Sequence, residues 1–174
     1  MKNVISFFFI ILLAACSNKD SVKTNTVDYE KEKESIGTML DSMNKAAAKA
    51  DFQQYFSFYA DSSVFMGTDA TEYWYKDAFM KWAQPYFDKK TTWDFTSFHR
   101  NIYFGKQSDI AWFDELLNTQ MKICRGSGVI VKENGAWKIK QYVLSMTVPN
   151  EKLDDVLKAK ASIEDSLIAS LLRK

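Results

Sequence analysis

Asp114 and Glu115 stand side by side in the stretch Ala111-Trp112-Phe113-Asp114-Glu115-Leu116-Leu117. Along a strand, successive side chains take opposite faces, so Trp112 and Asp114 share one face while Phe113 and Glu115 share the other. One carboxylate of the pair therefore points into the domain. Burial among aromatic rings raises a carboxyl pKa and suits the group to general base or acid work. The alternative is a buried ion pair with Arg100 or Arg125, which perturbs the group without chemistry. Arg125 could instead hold a ligand carboxylate or phosphate in its planar fork of donors. The Gly126-Ser127-Gly128 run beside it reads as a bend in a strand, because no helix follows to receive a phosphate. His99, the sole histidine, is either a general acid or base or an ordinary strand position.

The same inventory excludes other chemistry. One histidine and two cysteines rule out histidine-rich or cysteine-rich metal sites, so no metal and no cofactor is expected. Cys124 has no partner and reads as a small buried hydrophobe. With 23 basic against 22 acidic residues and no block of like charge, a nucleic-acid footprint is absent. Aromatic residues make up 15% of the chain. Trp74, Tyr75, Trp82, Tyr86, Trp93, Tyr103, Trp112 and Tyr142 are candidates to line a cavity for an apolar or aromatic ligand.

Those residues need elements to position them. From Asp28 to Ala50 the residues Ile36, Met39, Leu40, Met43, Ala47 and Ala50 repeat with helical spacing, predicting an amphipathic helix. Asp51 caps a further turn that carries Phe52, Tyr55, Phe56 and Tyr59. Val64 to Gly67 is a short strand, and Tyr75 to Phe87 a helix that Pro85 should kink or restart. Trp93–Phe104, Ile110–Asn118, Met121–Glu133 and Ala136–Val148 then read as strands, with Asn134-Gly135 a strong hairpin signal. Residues 151–172 form a final helix with Leu153, Val156, Leu157, Ile163, Leu167 and Leu171 along one side. That stripe must be covered by its own domain or by a second copy. Helices followed by an antiparallel meander make an α+β domain.

The first residues address the chain. Lys2 precedes the apolar run Val4 to Ala15, too short for the roughly 20 residues a bilayer span needs. It ends in Leu13-Ala14-Ala15-Cys16, which resembles the lipobox of bacterial lipoproteins. The resemblance implies a signal peptide over residues 1–15, a lipid on Cys16 and membrane anchoring through it. Residues 16–27 read as that lipidated cysteine and a polar tether. Ser17 in place of an aspartate implies sorting to the outer membrane within the cell envelope.

A second resemblance covers residues 28–149. It is carried by Asp51-Phe52 through Tyr59-Ala60-Asp61 and Val64-Phe65-Met66-Gly67, by Glu72-Tyr73-Trp74, and by Ala111-Trp112-Phe113-Asp114-Glu115. Arg125-Gly126-Ser127-Gly128-Val129, Trp137-Lys138-Ile139 and Leu144-Ser145 complete it. In this order and spacing the motifs resemble the SnoaL-like branch of the nuclear transport factor 2 superfamily. The resemblance implies a cone, in which a strongly bent antiparallel sheet wraps N-terminal helices and leaves a cavity at the open end. Residues 150–174 form an additional C-terminal helix. Members include ketosteroid isomerase, scytalone dehydratase and limonene epoxide hydrolase, and others only bind or assemble, so the fold leaves the function open. A homodimer across the open sheet face is also implied.

The leading expectation is a lipid-anchored domain that binds a small organic ligand or an envelope partner without catalysis. Trp74, Trp82, Tyr86, Trp93, His99, Tyr103, Trp112, Arg125 and Tyr142 are its candidate ligand contacts. The rival is a lyase, isomerase or hydrolase with Asp114 or Glu115 as base and Tyr103 or Arg125 stabilising developing charge. A third possibility is an assembly module whose cavity is filled by side chains.

Overall fold

The computed structural model describes residues 27–106 and 108–173; the expected signal segment, Cys16 and the expected tether up to residue 26 lie outside them. Helix α1 runs from Tyr29 to Ala48, opened by Asp28, whose carboxylate accepts from the Lys31 amide at 3.2 Å. Its buried stripe is the expected one up to Ala47, with Ile36, Met39, Leu40, Met43 and Ala47 turned inward and Asn44 among them; Ala50 lies past the helix end, with φ of 54°. Asp51 caps helix α2, Phe52–Ser57, through the Gln54 amide.

Strand β1 spans Tyr59–Met66, so Tyr59 belongs to a strand and not to the helical repeat that its spacing suggests. The override is tertiary: Tyr59 pairs with Ile139 across the sheet. A short strand β2, Tyr73–Tyr75, folds back on β1 before helix α3, Lys76–Asp88. Helix α3 carries Pro85 internally and runs on to Asp88 without restarting. Strands β3 (Thr96–Phe104), β4 (Ile110–Thr119), β5 (Lys122–Glu133) and β6 (Ala136–Met146) form the meander. Asn134 and Gly135 close the β5–β6 hairpin with φ of 51° and 80°, the pair of positive values that a type I′ turn requires.

The six strands form one sheet in the order β2-β1-β6-β5-β4-β3. Neighbours are antiparallel except β1 and β6, which run parallel. A parallel pair needs a long crossover, and here β2, α3 and the strands β3 to β5 supply it. A break in register between Val129 and Ile130 and the glycines of β5 let the sheet curl around α1, α2 and α3. A Cβ on Gly128 would collide with the Gln141 carbonyl and stand 2.9 Å from the Phe113 ring. The core lies inside the curl, where Ile36 and Leu40 meet Leu117, Ile130 and Ile139.

Glu32 ties α1 to the β5–β6 hairpin. Its two oxygens accept from Lys132 Nζ and from the Trp137 indole N–H, each at 2.6 Å. The Lys132 hydrogen bond, then that of Trp137, holds this carboxyl below its ordinary 4.5. A depressed folded pKa means that the tie contributes fully above 4.5 and is lost as pH falls through the lowered folded value. Glu32→Gln is expected to lower stability by about 1 kcal/mol at neutral pH, since the pair is partly exposed. The difference in Tm between variant and wild type should shrink toward zero as the buffer is taken below the folded pKa.

After η-type turn Asn150–Lys152, helix α4 covers Leu153–Leu171. None of its residues is buried, and Leu153, Leu157, Ile163 and Leu171 stay exposed. The chain's own domain therefore leaves much of this stripe open. Among the described residues no helix is long and apolar enough to cross a membrane.

Candidate functional site

The alternation along β4 resolves the carboxylate pair. Ala111, Phe113, Glu115 and Leu117 are buried while Trp112 and Asp114 face the other way. Glu115, with no solvent exposure, is the inward member. Its cross-strand partner on β3 is Arg100, and directly paired residues share a face. Arg100 Nε and Nη2 reach Glu115 Oε2 at 2.9 and 2.8 Å. The rest of the guanidinium is spent on the Gly37 carbonyl at 3.1 Å and Asp41 at 2.8 Å. Burial pulls the Arg100 pKa down, but Glu115 and Asp41 overcome it and leave it above its ordinary value.

Tyr142, from β6, donates its hydroxyl to Glu115 Oε1 at 3.2 Å. Burial first, and the Glu115 charge second, push this phenol well above its usual range, so it stays protonated and remains a donor. Burial likewise raises Tyr55 and Tyr59, whose hydroxyls meet at 3.0 Å. Gly126 makes room for the pair: a Cβ there would collide with the Tyr142 hydroxyl and crowd Glu115 Cγ and Oε1 at 3.1 Å.

On the open side of Tyr142 is a cavity of about 180 Å³, walled by the rings of Tyr55, Phe65, Phe79, Trp82, Trp93 and Tyr142. Its polar lining comes from Asn44, Thr68, Glu72 and Gln120. Phe79 stacks on Phe65 at 4.1 Å and Trp74 on Trp82 at 4.8 Å, which fixes the wall rings against one another. Glu115 lies behind Tyr142 and is not part of the lining.

Of the candidate contacts, Trp82, Trp93 and Tyr142 line this cavity. Trp74 backs the wall, and Tyr86 packs beside Trp82 at 5.0 Å while 40% exposed. The structure does not bring the other four there. Arg125 is paired with Leu116, not Glu115, so it lies on the outer face and is exposed. Tyr103 and Trp112 stack on one another at 5.9 Å, about half exposed, on that same face. Asp114 accepts from Asn101 at 3.2 Å there, and His99 is exposed beside Asn101. Tyr75 is exposed.

Phe65, Phe79, Glu72 and Asn44 were not picked out by residue type. Asn44 did leave a signal, being four residues after Leu40 and three before Ala47, on the buried stripe of α1. Among the described residues no group of three or more His, Cys, Asp or Glu is placed to hold a metal ion.

The comparisons agree with this geometry. The family model described as SnoaL-like domain matches residues 36–149. A nuclear transport factor 2-like protein of unknown function from Pseudomonas putida superposes with a TM-score of 0.60 at 15% identity, covering 73% of this chain and 94% of that one. A domain with a cystatin-like fold from Nostoc punctiforme gives 0.58 at 15% identity, with 86% and 100% covered. A candidate scytalone dehydratase from Novosphingobium aromaticivorans gives 0.57 at 13% identity, with 69% and 87% covered. At these identities the likeness is one of fold alone. No curated protein matches the chain.

Proposed function

The chain belongs to the SnoaL-like domain family, and from that membership we propose a lipid-anchored protein of the cell envelope whose cavity binds a small organic ligand without converting it. The observation that carries the reading is the aromatic-walled cavity of about 180 Å³ behind which the inward carboxylate of β4, Glu115, is already matched. Glu115 gives Oε2 to Arg100 and Oε1 to Tyr142, and Tyr142 spends its only proton on Glu115. A base needs a free lone pair within reach of the substrate, and the Glu115–Tyr142 pair offers none to the cavity; Glu72, the carboxylate in its lining, serves this reading as a ligand contact. An enzymatic role for Glu115 requires the pair to open on binding.

The membrane anchor rests on Leu13-Ala14-Ala15-Cys16, and the outer membrane on Ser17. Cys16→Ser is expected to move the chain from the membrane fraction to the soluble one; continued membrane retention would remove the lipid anchor from the reading.

An envelope partner or a second copy is favoured by a separate observation, the apolar surface left uncovered. Trp112 and Tyr103 on the outer sheet face and Leu157 and Ile163 on α4 are all about half or more exposed, and large apolar side chains left open in this way suit interaction sites. Native mass spectrometry of residues 17–174, purified gently from the host, reads both questions. A stoichiometric small-molecule adduct that Trp82→Ala abolishes is the expected result. Bare protein would end the ligand reading and leave the partner role, and the same spectrum reports monomer or dimer.

A further inference from the structure

Among the described residues the lining of the cavity carries a single formal charge, the carboxylate of Glu72. Glu72 Oε2 accepts from the Asp69 amide at 3.2 Å, and Glu72 takes part in no ion pair among the described residues. Gly67 permits its position, because a Cβ at 67 would collide with that carboxylate. Among the described residues no lysine or arginine faces the cavity. An anionic ligand would shed its hydration beside a like charge, with no cation to receive it. A cation meets the opposite situation: a carboxylate with unused acceptor capacity, and the faces of tryptophan and phenylalanine rings.

A second polar group points the same way. Asn44 lines the cavity at 5% exposure, and its Nδ2 has no hydrogen-bond partner. A buried donor left unmet is costly and rare enough to need a cause, and a ligand acceptor supplies one. An apolar cavity of about 150 Å³ holds benzene; one of about 180 Å³ takes a benzene ring with a short substituent.

We propose that the cavity selects an organic cation, an arylalkyl amine of this size, with its ammonium group at Glu72 and a hydrogen-bond acceptor at Asn44. The proposal rests on reading the cavity as a ligand site and adds the charge and polarity of what enters it.

The test uses the full-length chain in mild detergent and three probes of matched shape: phenethylamine, phenethyl alcohol and phenylacetate, titrated calorimetrically at neutral pH. Phenethylamine should bind about tenfold or more tightly than the alcohol, and phenylacetate most weakly. Glu72→Gln, which keeps an acceptor for the Asp69 amide, should erase the preference for the amine. Tyramine adds a phenol oxygen, and Asn44→Leu should weaken tyramine several-fold more than phenethylamine. If alcohol and amine bind alike in both wild type and Glu72→Gln, the charge selection is wrong and the ligand reading stands. Tightest binding of phenylacetate would overturn it in the same way. Failure of every probe to bind would overturn both.

Discussion

Replacing Glu115 with alanine is expected to cost about 3–5 kcal/mol of stability, the range for removing one partner of a buried ion pair. The carboxylate has no exposure and the Arg100 side chain is 13% exposed, so the abandoned guanidinium has little access to water. Asp41 and the Gly37 carbonyl still hold it, which places the loss within that range and not above it. Tyr142 also loses its acceptor, adding a buried unmet hydroxyl. Glu115→Gln keeps an oxygen for Tyr142 and should lie between. Joint replacement by Arg100→Met and Glu115→Leu should recover most of the loss, because a buried pair exchanged for apolar groups of similar volume is often neutral. Urea denaturation of wild type and these three variants reads the comparison directly. A loss below about 1 kcal/mol in Glu115→Ala would mean that the pair is solvated as surface pairs are, and would reopen the case for Glu115 as a reachable base.

The register that creates this pair explains which parts of the site were legible in the residues. Alternation on β4 put one of the two carboxylates inside, but only the pairing of strands says which one. Once Glu115 faces inward, Trp112 and Asp114 must face out, and Tyr103, paired with Trp112, goes with them. Arg125 falls opposite Leu116 and leaves the site for the same reason. A slip of one residue in either turn would exchange all of these assignments, so residue type alone could not have separated Arg100 from Arg125. The Asn134-Gly135 hairpin and the α1 stripe were readable because their signals are local. Tyr59 was not, since its place in β1 depends on Ile139, far along the chain. Glu72 was outside the reach of periodicity, because a loop residue reaches the cavity only through the close approach that Gly67 allows.

Phe79→Ala is expected to destabilise the domain by about 3–5 kcal/mol, the range for a buried phenylalanine truncated to alanine. Phe79 is 1% exposed and sits where both halves of the aromatic wall meet. It stacks on Phe65 at 4.1 Å and lies nearly parallel to Trp74 at 5.9 Å, while Phe56 meets it edge-on at 5.3 Å. Through these contacts it joins α3 to α2 and to β1. Its removal would enlarge a cavity that already exists, so the neighbouring rings have open space on one side and cannot collapse to fill the gap. A chemical rescue follows from the same geometry. Toluene, which binds the folded state only, should raise the Tm of Phe79→Ala more than that of wild type. Leucine at this position keeps part of the packing and should cost less. A loss under about 1.5 kcal/mol, or rescue no greater in the variant than in wild type, would mean that the wall does not depend on Phe79. The cavity would then be a gap between independently stable elements, without the fixed walls that selective ligand binding requires.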